Sequence, residues 1–360
     1  MAETVSFNPT WFSIPGSSIS AALSKGEIGL QEFSIHVGLS LDDAIKLLDG
    51  VLPITEDLAE KLEVSVGGTS QYWLNRQSRY EALLDECAKK ISDDDGRAWL
   101  SQLPINEMRK MGWVASGGDK LSECLKFFET GSIEAWQEKY ETQLKAVSFR
   151  ASSTHEVDQY STIAWLRRGH QLAEKIQCKP WDVGKFSSTL SEIKKLTRIK
   201  QPSIFLSQLV SLCAECGVAV VIQRAPKGTR ASGATMFTNP SKALILLSMR
   251  YLSDDQFWFT FFHEAGHLVL HDKNALFIED DSDVTQAEEA EADEFSFDTL
   301  IPHGYQEKLH EIELSKYEIV RFANACSVSP GIIVGQLQHM GRIRHNQLNW
   351  LKRRYRWNEM

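Results

Sequence analysis

The chain has 360 residues with a formal net charge of −9, and 42% of its residues are hydrophobic. This length accommodates two or three domains, and the composition is ordinary for a soluble globular protein. The negative charge disfavours nonspecific binding of nucleic acid by the whole molecule. No apolar run of 18 or more residues predicts a transmembrane helix, and the first residues lack the basic and apolar regions of a signal peptide. The six cysteines are scattered, which indicates a cytoplasmic protein rather than a disulfide scaffold.

Charge is distributed unevenly along the chain. Residues 1–80 hold ten acids against five Lys and Arg, and residues 254–298 hold fourteen acids against Lys273. The last twenty residues reverse the sign, with six Lys and Arg against Glu359. A basic tail of this kind can touch phosphates, but it is more often a solvated helix face or a partner for an acidic segment of the same chain.

The first half of the chain predicts helices. In residues 28–50, apolar residues at helical spacing surround Gly38, and two helices joined by a short glycine-containing turn form a helix-turn-helix. Thr55 predicts the N-cap of a further helix that has acids in its first turn. The stretch "SDDDG", residues 92–96, predicts a linker or turn. Residues 97–200 show the 3.6-residue apolar spacing of helices, and their tryptophans are expected in the core.

The pattern changes after residue 200. A helix that ends at Gly217 precedes "VAVVIQRA" and "KALILLSM", which predict short strands, and "GTRASGATMF" between them predicts a further one. The stretch "PKGTRASG", residues 226–233, is interpreted as a hairpin or flexible loop near the site, because it lacks the P-loop pattern. Cys213 and Cys216 form a single C-x-x-C, for which a structural role on a helix is expected.

The next helix carries the candidate metal-binding and catalytic residues. Ser253 predicts its N-cap, and the stretch "DDQFWFTFFHEAGHLVLH" starts with acids that the helix dipole favours. His263, Glu264 and His267 spell H-E-x-x-H, in which both imidazoles share one helix face and can bind one metal, while the glutamate can reach a metal-bound water. Burying these three groups without a metal would leave costly unsatisfied polar atoms. The alternative is a core helix with hydrogen-bonded histidines.

A zinc site of this type needs a third protein ligand. His271 lies about 12 Å beyond His263 along a continuous helix, so the three histidines cannot close on one ion. Residues 285–302 predict a second helix that carries several acids. Glu289 and Asp293 lie on one face of it, so Glu289 can bind the metal while Asp293 accepts the free N–H of a liganding histidine. The alternative is an acidic face in solvent.

Together these segments resemble the ImmA/IrrE family of zinc metallopeptidases. The resemblance rests on "HEAGHLVLH", on E-x-x-A-D-x-F from Glu289 and on "LIP", with "TRASGATMF" and "LSMRY" upstream and "SVSPGIIVGQLQHMG" downstream. The stretch "ITEDLAEKLEVSVGGTSQYWLNRQSRYE" resembles the Cro/repressor-type helix-turn-helix of HigA-like antitoxins. By this resemblance His263, His267 and Glu289 are zinc ligands, and Glu264 is the catalytic base.

The resemblance implies a zinc-dependent endopeptidase acting on a protein substrate, notably a helix-turn-helix repressor or antitoxin, in stress, mobile-element or toxin–antitoxin control. Glu264 would take a proton from water and pass it to the leaving amine. Arg250, Tyr251 and His303 are candidates for stabilising the oxyanion. The second interpretation is an antitoxin-like DNA-binding regulator whose metal site is structural or sensory. No membrane partner is expected, and a homodimer is one expected assembly.

The predicted recognition helix, "SLDDAIKLLDG", departs from a DNA-binding pattern. Asp42 and Asp43 stand at the end that normally meets the bases, and Lys46 is the only basic residue of the stretch. Phosphate contacts dominate DNA affinity, and two aspartates repel the backbone. The element therefore predicts either a weak DNA-binding module or a docking module for protein, such as a repressor substrate or a second copy of the chain.

We therefore expect an α+β protein that is mostly helical, in which a small gluzincin-like metallopeptidase domain with a short β-sheet follows a helix-turn-helix domain. Four segments are expected: a HigA-like helix-turn-helix domain at 1–92, a helical middle region at 93–200, the metallopeptidase domain at 201–310, and a helical C-terminal extension with a basic tail at 311–360.

Overall fold

The computed structural model of the protein describes residues 13–150, 158–271, 277–279 and 287–359. The first twelve residues, on which the signal-peptide prediction rests, and part of the acidic segment lie outside this range. The chain divides between residues 145 and 146 into two units, each with its own hydrophobic core. The four-segment division remains a prediction. Within the described ranges, no helix has both the length and the apolar character needed to cross a bilayer.

The first unit begins with helices joined by short turns. Three of their N-caps are side chains that accept a backbone N–H of the first turn, namely Ser40, Thr55 and Thr69. Gly38 lies in the turn between the second and third helices at φ 68°, a left-handed conformation that glycine adopts without strain. The two helices predicted around Gly38 are thus present. The five helices are α1 (Pro15–Lys25), α2 (Leu30–His36), α3 (Leu41–Leu48), α4 (Glu56–Val66) and α5 (Ser70–Lys90).

Four more helices follow, and the first of them corrects a prediction. The linker or turn expected at residues 92–96 is the start of a helix, because Ser92 accepts the N–H of Asp95 and three aspartates occupy the first turn, where the helix dipole favours anions. Ser and Asp are common both in turns and at helix N-termini, so these residue types could not distinguish a turn from the start of a helix. The helices are α6 (Asp93–Gln102), α7 (Ile105–Lys110), α8 (Lys120–Phe128) and α9 (Ile133–Arg150). The tryptophans expected in the core are buried: Trp99, Trp113, Trp136 and Trp165.

The second unit combines helices with a small sheet. Its helices are α10 (Gln159–Lys175), α11 (Val183–Leu196), α12 (Pro202–Ala214), α13 (Asp254–Leu270), α14 (Ala287–Leu300), α15 (His303–Glu311), α16 (Lys316–Cys326) and α17 (Pro330–His339), with 3-10 turns at Asn349–Leu351 and Trp357–Glu359. Its strands are β1 (Val218–Ile222), β2 (Gly233–Asn239), β3 (Lys242–Leu247) and β4 (Phe277–Glu279). The sheet order is β1-β3-β2-β4; β1 and β3 are parallel, and β2 is antiparallel to both of its neighbours.

One core joins the helices of this unit to the sheet. It includes Phe186 of α11, Phe205 of α12 and Ile245 of β3, and it continues through Trp258 of α13 to Tyr355 near the C-terminus. Helix α13 packs against β2 and β3 on one side and against α14 and α17 on others. The predicted fold class, α+β and mostly helical with a short sheet, is confirmed.

The basic tail contacts acids of the same chain. Lys352 Nζ lies 2.5 Å from Asp255 Oδ2, and both side chains are buried. The backbone N–H of Arg353 donates to Asp254 Oδ1, while its guanidinium donates to the carbonyl oxygens of residues 197–199. The sequence left open whether the tail is a solvated helix face or pairs with the acidic segment of the same chain. The tail does pair with that segment, at the first turn of α13.

Candidate metal centre

Helix α13 is buried along almost its whole length, because its first half is aromatic and packs into the core. Ser253 stands at the predicted N-cap, but its side chain makes no capping bond; instead Asp254 Oδ1 accepts the N–H of Asp255 at 3.0 Å. Further along the helix, His263 and His267 are each 2% exposed, and Glu264 is fully buried. Three ionisable side chains at this depth need partners, since unpaired buried polar groups are costly.

Helix α14 lies against this stretch of α13, and a glycine permits the close approach. A Cβ at Gly266 would lie 3.2 Å from Ala292 Cα and 3.1 Å from Phe295 Cδ1. The two helices run antiparallel, since Glu289 pairs with His263 while Ser296, later in α14, donates to the carbonyl of the earlier Phe259. This packing brings the first turns of α14 beside the two histidines.

The atoms that converge between the helices form a small triangle. His263 Nε2 lies 3.0 Å from His267 Nε2 and 3.1 Å from Glu289 Oε2. His267 Nε2 lies 3.5 Å from the same oxygen. Two ligands that are about 2.0–2.1 Å from a zinc ion at the tetrahedral angle are about 3.3 Å apart, so this spacing fits three corners of a zinc tetrahedron. No other group of His, Cys, Asp and Glu in the described residues has spacing that could hold a metal.

The outer nitrogens of both rings have polar neighbours. His263 Nδ1 lies 2.8 Å from Asp293 Oδ1, so the ring donates its Nδ1–H to the carboxylate. His267 Nδ1 lies 2.9 Å from His271 Nδ1. With the protons on Nδ1, both Nε2 atoms present lone pairs to the centre. Burial lowers the pKa of His267 to about 4, so its ring is neutral near pH 7, the form that binds metal.

Glu264, the residue between the two histidines, is directed toward strand β2. Thr235 Oγ1 lies 2.5 Å from Glu264 Oε2 and donates its proton to the carboxylate. A Cβ at Gly233 would lie 2.4 Å from Glu264 Oε1, so only glycine leaves room for the carboxylate there. Sequence reasoning missed both residues of β2. The available signal was the i, i+2 spacing of "GAT" on a predicted strand, which places both positions on one face.

The three oxyanion candidates lie in the segments that precede α13 and follow α14. Arg250 and Tyr251 precede α13, and the guanidinium of the first lies 5.2 Å from the ring centroid of the second. His263 lies nine residues after Asp254, the first residue of that helix, which is about 14 Å along the helix axis. His303 is exposed at the start of α15, beyond the end of α14 that is remote from Glu289. Their role in stabilising an oxyanion remains a prediction.

The DNA-contact candidate of the first unit is held by acids of its own helix. Lys46 Nζ lies 2.5 Å from Asp42 Oδ2 and 3.1 Å from Asp43 Oδ1. These hydrogen bonds, that to Asp42 first, raise the pKa of Lys46, and Ser40 and Lys46 together lower the pKa of Asp43. A phosphate would therefore have to compete with two carboxylates for this cation.

Comparison with known proteins gives two matches. The model of the Peptidase_M78 family, described as an IrrE N-terminal-like domain, matches residues 217–337, which contain the whole donor cluster. A segment of 88 residues is 33% identical to the uncharacterized HTH-type transcriptional regulator YddM of Escherichia coli (strain K12), covering 24% of this chain and 92% of that protein. Residues 217–337 are thus similar to an IrrE N-terminal-like domain, and over the aligned segment the chain belongs to the family of this HTH-type regulator. Both findings support the ImmA/IrrE resemblance, and its HigA-like part remains a prediction.

Proposed function

We propose that the protein is a zinc-dependent endopeptidase that cleaves a regulatory protein. The observation that carries this proposal is the triangle of His263 Nε2, His267 Nε2 and Glu289 Oε2, with sides of 3.0, 3.1 and 3.5 Å. The set of two imidazoles and one carboxylate suits zinc and leaves a fourth tetrahedral corner for water or substrate. The Peptidase_M78 match over the same residues supports peptide hydrolysis as the reaction.

The chain's own residues divide the work of this reaction. Zinc held by the triangle supplies Lewis-acid polarisation of the scissile carbonyl and makes water more acidic. Glu264 is not part of the triangle, and its carboxylate accepts the proton of the attacking water and delivers it to the nitrogen of the leaving amine. Thr235 holds one oxygen of that carboxylate. Asp293 fixes the ring of His263 by accepting its Nδ1–H.

The second match and the resemblance support a class of substrate. A chain that carries a segment similar to an HTH-type regulator as well as a segment similar to a peptidase domain fits control of transcription. We infer that the cleaved protein is a helix-turn-helix repressor or antitoxin, and that the first unit contributes to recognition of this partner. The acidic start of α3, where Asp42 and Asp43 engage Lys46, favours a protein over DNA as the ligand of that helix.

A pair of isosteric variants tests the peptidase assignment. Glu264→Gln keeps the size of the side chain and removes the base, so the variant is expected to fold, bind zinc and no longer cleave its partner. Loss of a general base costs about 10²–10⁴-fold in rate. Glu289→Gln removes a charged ligand and is expected to weaken zinc binding and activity together. Each variant is co-expressed with a repressor-like protein encoded nearby, and fragments of that protein are followed by mass spectrometry.

A second function is favoured by the regulator match: an antitoxin-like DNA-binding protein whose metal site is structural or sensory. The two functions give opposite results with the same pair of variants. If Glu264→Gln leaves the biological output unchanged while Glu289→Gln abolishes it, the metal is structural and the peptidase assignment is wrong. Loss of output in both variants, with zinc retained only by Glu264→Gln, supports the peptidase.

A further inference from the structure

We propose that His271, together with Glu291, is the positioning partner of His267, fixing its tautomer and ring orientation so that Nε2 faces the metal. This inference rests on the proposed zinc site and adds a residue to it. His271 has no place among the ligands, yet its side chain is only 5% exposed and is in direct contact with one of them. A buried polar ring at this position needs a role or a partner.

The contacts place His271 on the outer side of the ligand. His271 Nδ1 lies 2.9 Å from His267 Nδ1, the nitrogen that is turned away from the donor triangle. The lone pairs of the two nitrogens of an imidazole ring diverge, so a group bonded at Nδ1 of His267 cannot also reach the metal at Nε2. The helix ends at Leu270, and His271 has the extended angles φ −114° and ψ 174°, while its backbone N–H still donates to the carbonyl of His267. This last turn holds the two rings together.

The direction of both hydrogen bonds of His271 follows from the proposed role of His267 as a metal ligand. If His267 Nε2 offers its lone pair to a metal, the ring carries its proton on Nδ1. That proton is donated to His271 Nδ1, which must then be unprotonated. The remaining proton of His271 is on Nε2, which lies 3.0 Å from Glu291 Oε2. The donors and acceptors therefore run in one direction, from the His267 ring through His271 to the carboxylate of Glu291.

The two liganding rings are thus held differently. His263 donates directly to the carboxylate of Asp293, whereas His267 donates to a neutral ring that is itself bonded to a carboxylate. In each case an outer acceptor fixes the rotation and the tautomer of the histidine ring before metal binds, so that this freedom is not lost on binding. Loss of such an outer partner typically costs about 10- to 100-fold in metal affinity or activity.

The test compares zinc affinity in variants of the full-length protein, measured by competition with a chromophoric chelator. His271→Leu and His271→Asn are nearly equal in size, but only the Asn side chain offers an oxygen near the position of Nδ1 to accept the proton of His267. We expect zinc binding to weaken about 10- to 100-fold in His271→Leu and to be largely retained in His271→Asn. Glu291→Gln is expected to cause a smaller loss, since the Glu291 side chain is 60% exposed.

Glu294→Gln is the matched control, because it makes the same charge change at an exposed position of α14. Equal zinc affinity in His271→Leu and in the unaltered protein overturns the inference, and so does an Asn variant as weak as the Leu variant. If the unaltered protein itself binds no zinc, the proposed function fails and not this inference alone. If His271→Leu does not fold, Glu291→Gln and His271→Asn still report on the two bonds separately.

A second readout needs no metal. In the metal-free protein, nitrogen-15 NMR of the imidazole rings distinguishes the two neutral tautomers of each histidine. The inference predicts the Nδ1–H form for His267 and the Nε2–H form for His271. A His271 that carries its proton on Nδ1 would be a donor toward His267 and would overturn the proposed direction of the chain. A purely structural role for His271 would not require either form.

Discussion

Thr235 Oγ1 lies 2.5 Å from Glu264 Oε2, so a hydroxyl on the second strand of the sheet donates to the proposed catalytic base. Both side chains are buried, which removes competing water from this bond. The bond restricts the rotation of the carboxylate about its last torsion. The sheet thereby determines the orientation of a residue that the metal-binding helix supplies.

The first prediction follows from this contact. Thr235→Val is isosteric and removes the donor, whereas Thr235→Ser keeps it. A hydrogen bond to a charged group contributes about 1.5–3 kcal/mol, so turnover in the valine variant is expected to fall roughly 10- to 100-fold. Zinc content and KM are expected to change little, because neither ligands nor substrate contacts are altered. Turnover of the serine variant that matches the valine variant would contradict the orienting role.

The second prediction concerns the glycine two residues earlier. A Cβ at Gly233 would lie 2.4 Å from Glu264 Oε1 and 2.8 Å from Thr260 Cγ2, so Gly233→Ala is expected to displace the carboxylate and abolish cleavage while zinc is retained. Gly304→Ala is the control, because nothing lies within 4 Å of its Cβ position. Activity is measured on the identified substrate and zinc by elemental analysis. Full activity of Gly233→Ala would show that Glu264 does not need its observed position.

The third prediction concerns the metal itself. Purified protein is expected to contain about one zinc per chain, because a single set of donors has ligand spacing in the described residues. The double variant His263→Ala, His267→Ala removes two of the three donors and is expected to lose the metal. Elemental analysis after zinc loading measures both. Full zinc retention in the double variant would place the metal elsewhere and remove the basis of the proposed mechanism.

Sequence alone anticipated the residues that share a helix more readily than those brought together by packing. Helical spacing puts His263 and His267 on one face, and Glu289 and Asp293 on another, so each pair could be predicted before the helices were paired. Thr235 depends on which strand lies over Glu264, a property of tertiary packing. The same limit applies to the oxyanion candidates, since no local pattern reports which loop ends lie near α13.

His271 shows a second limit of prediction from sequence. Its spacing from His263 argued against a place among the ligands, and the donor triangle consists of other residues. The same reasoning gave it no other role, because the bond to His267 depends on how the chain leaves the helix after Leu270. Likewise, the charge of the tail left an acidic partner in the same chain as one of several alternatives, while the pairing with Asp254 and Asp255 required the fold.

The fourth prediction concerns the buried ion pair at the start of α13. Lys352→Met leaves Asp255 without its cation at a site where both side chains are under 10% exposed. Removing one partner of a buried pair costs about 3–5 kcal/mol, so the melting temperature of the full chain is expected to fall by several degrees. Arg356→Met, at an exposed tail position, is the control and is expected to change it little. Equal melting temperatures for both variants would contradict a structural role for the tail.

The fifth prediction concerns DNA. Residues 1–80, in which acids outnumber Lys and Arg ten to five, are expected to bind duplex DNA weakly or not at all at physiological salt. The structure adds that Lys46 is held by Asp42 and Asp43 of its own helix. Replacing both aspartates with Asn removes two repulsive charges and frees the cation, so the variant is expected to bind roughly tenfold tighter at low salt, with a steeper dependence on salt concentration.

The comparison is made by gel-shift titration of the full chain and of residues 1–80 with the chain's own promoter region. Asp57→Asn is the control in both lengths of chain, because Asp57 pairs with Lys61 at the same i, i+4 spacing on α4. This variant changes the net charge but leaves Lys46 paired. Its DNA affinity therefore measures the general effect of removing an acid, as distinct from the release of Lys46. Tight, sequence-selective binding by the unaltered chain that is lost in Lys46→Ala would mean that α3 reads DNA despite its acids. That result would favour the DNA-binding regulator, because the acids of α3 would then be compatible with recognition and not evidence for a protein ligand.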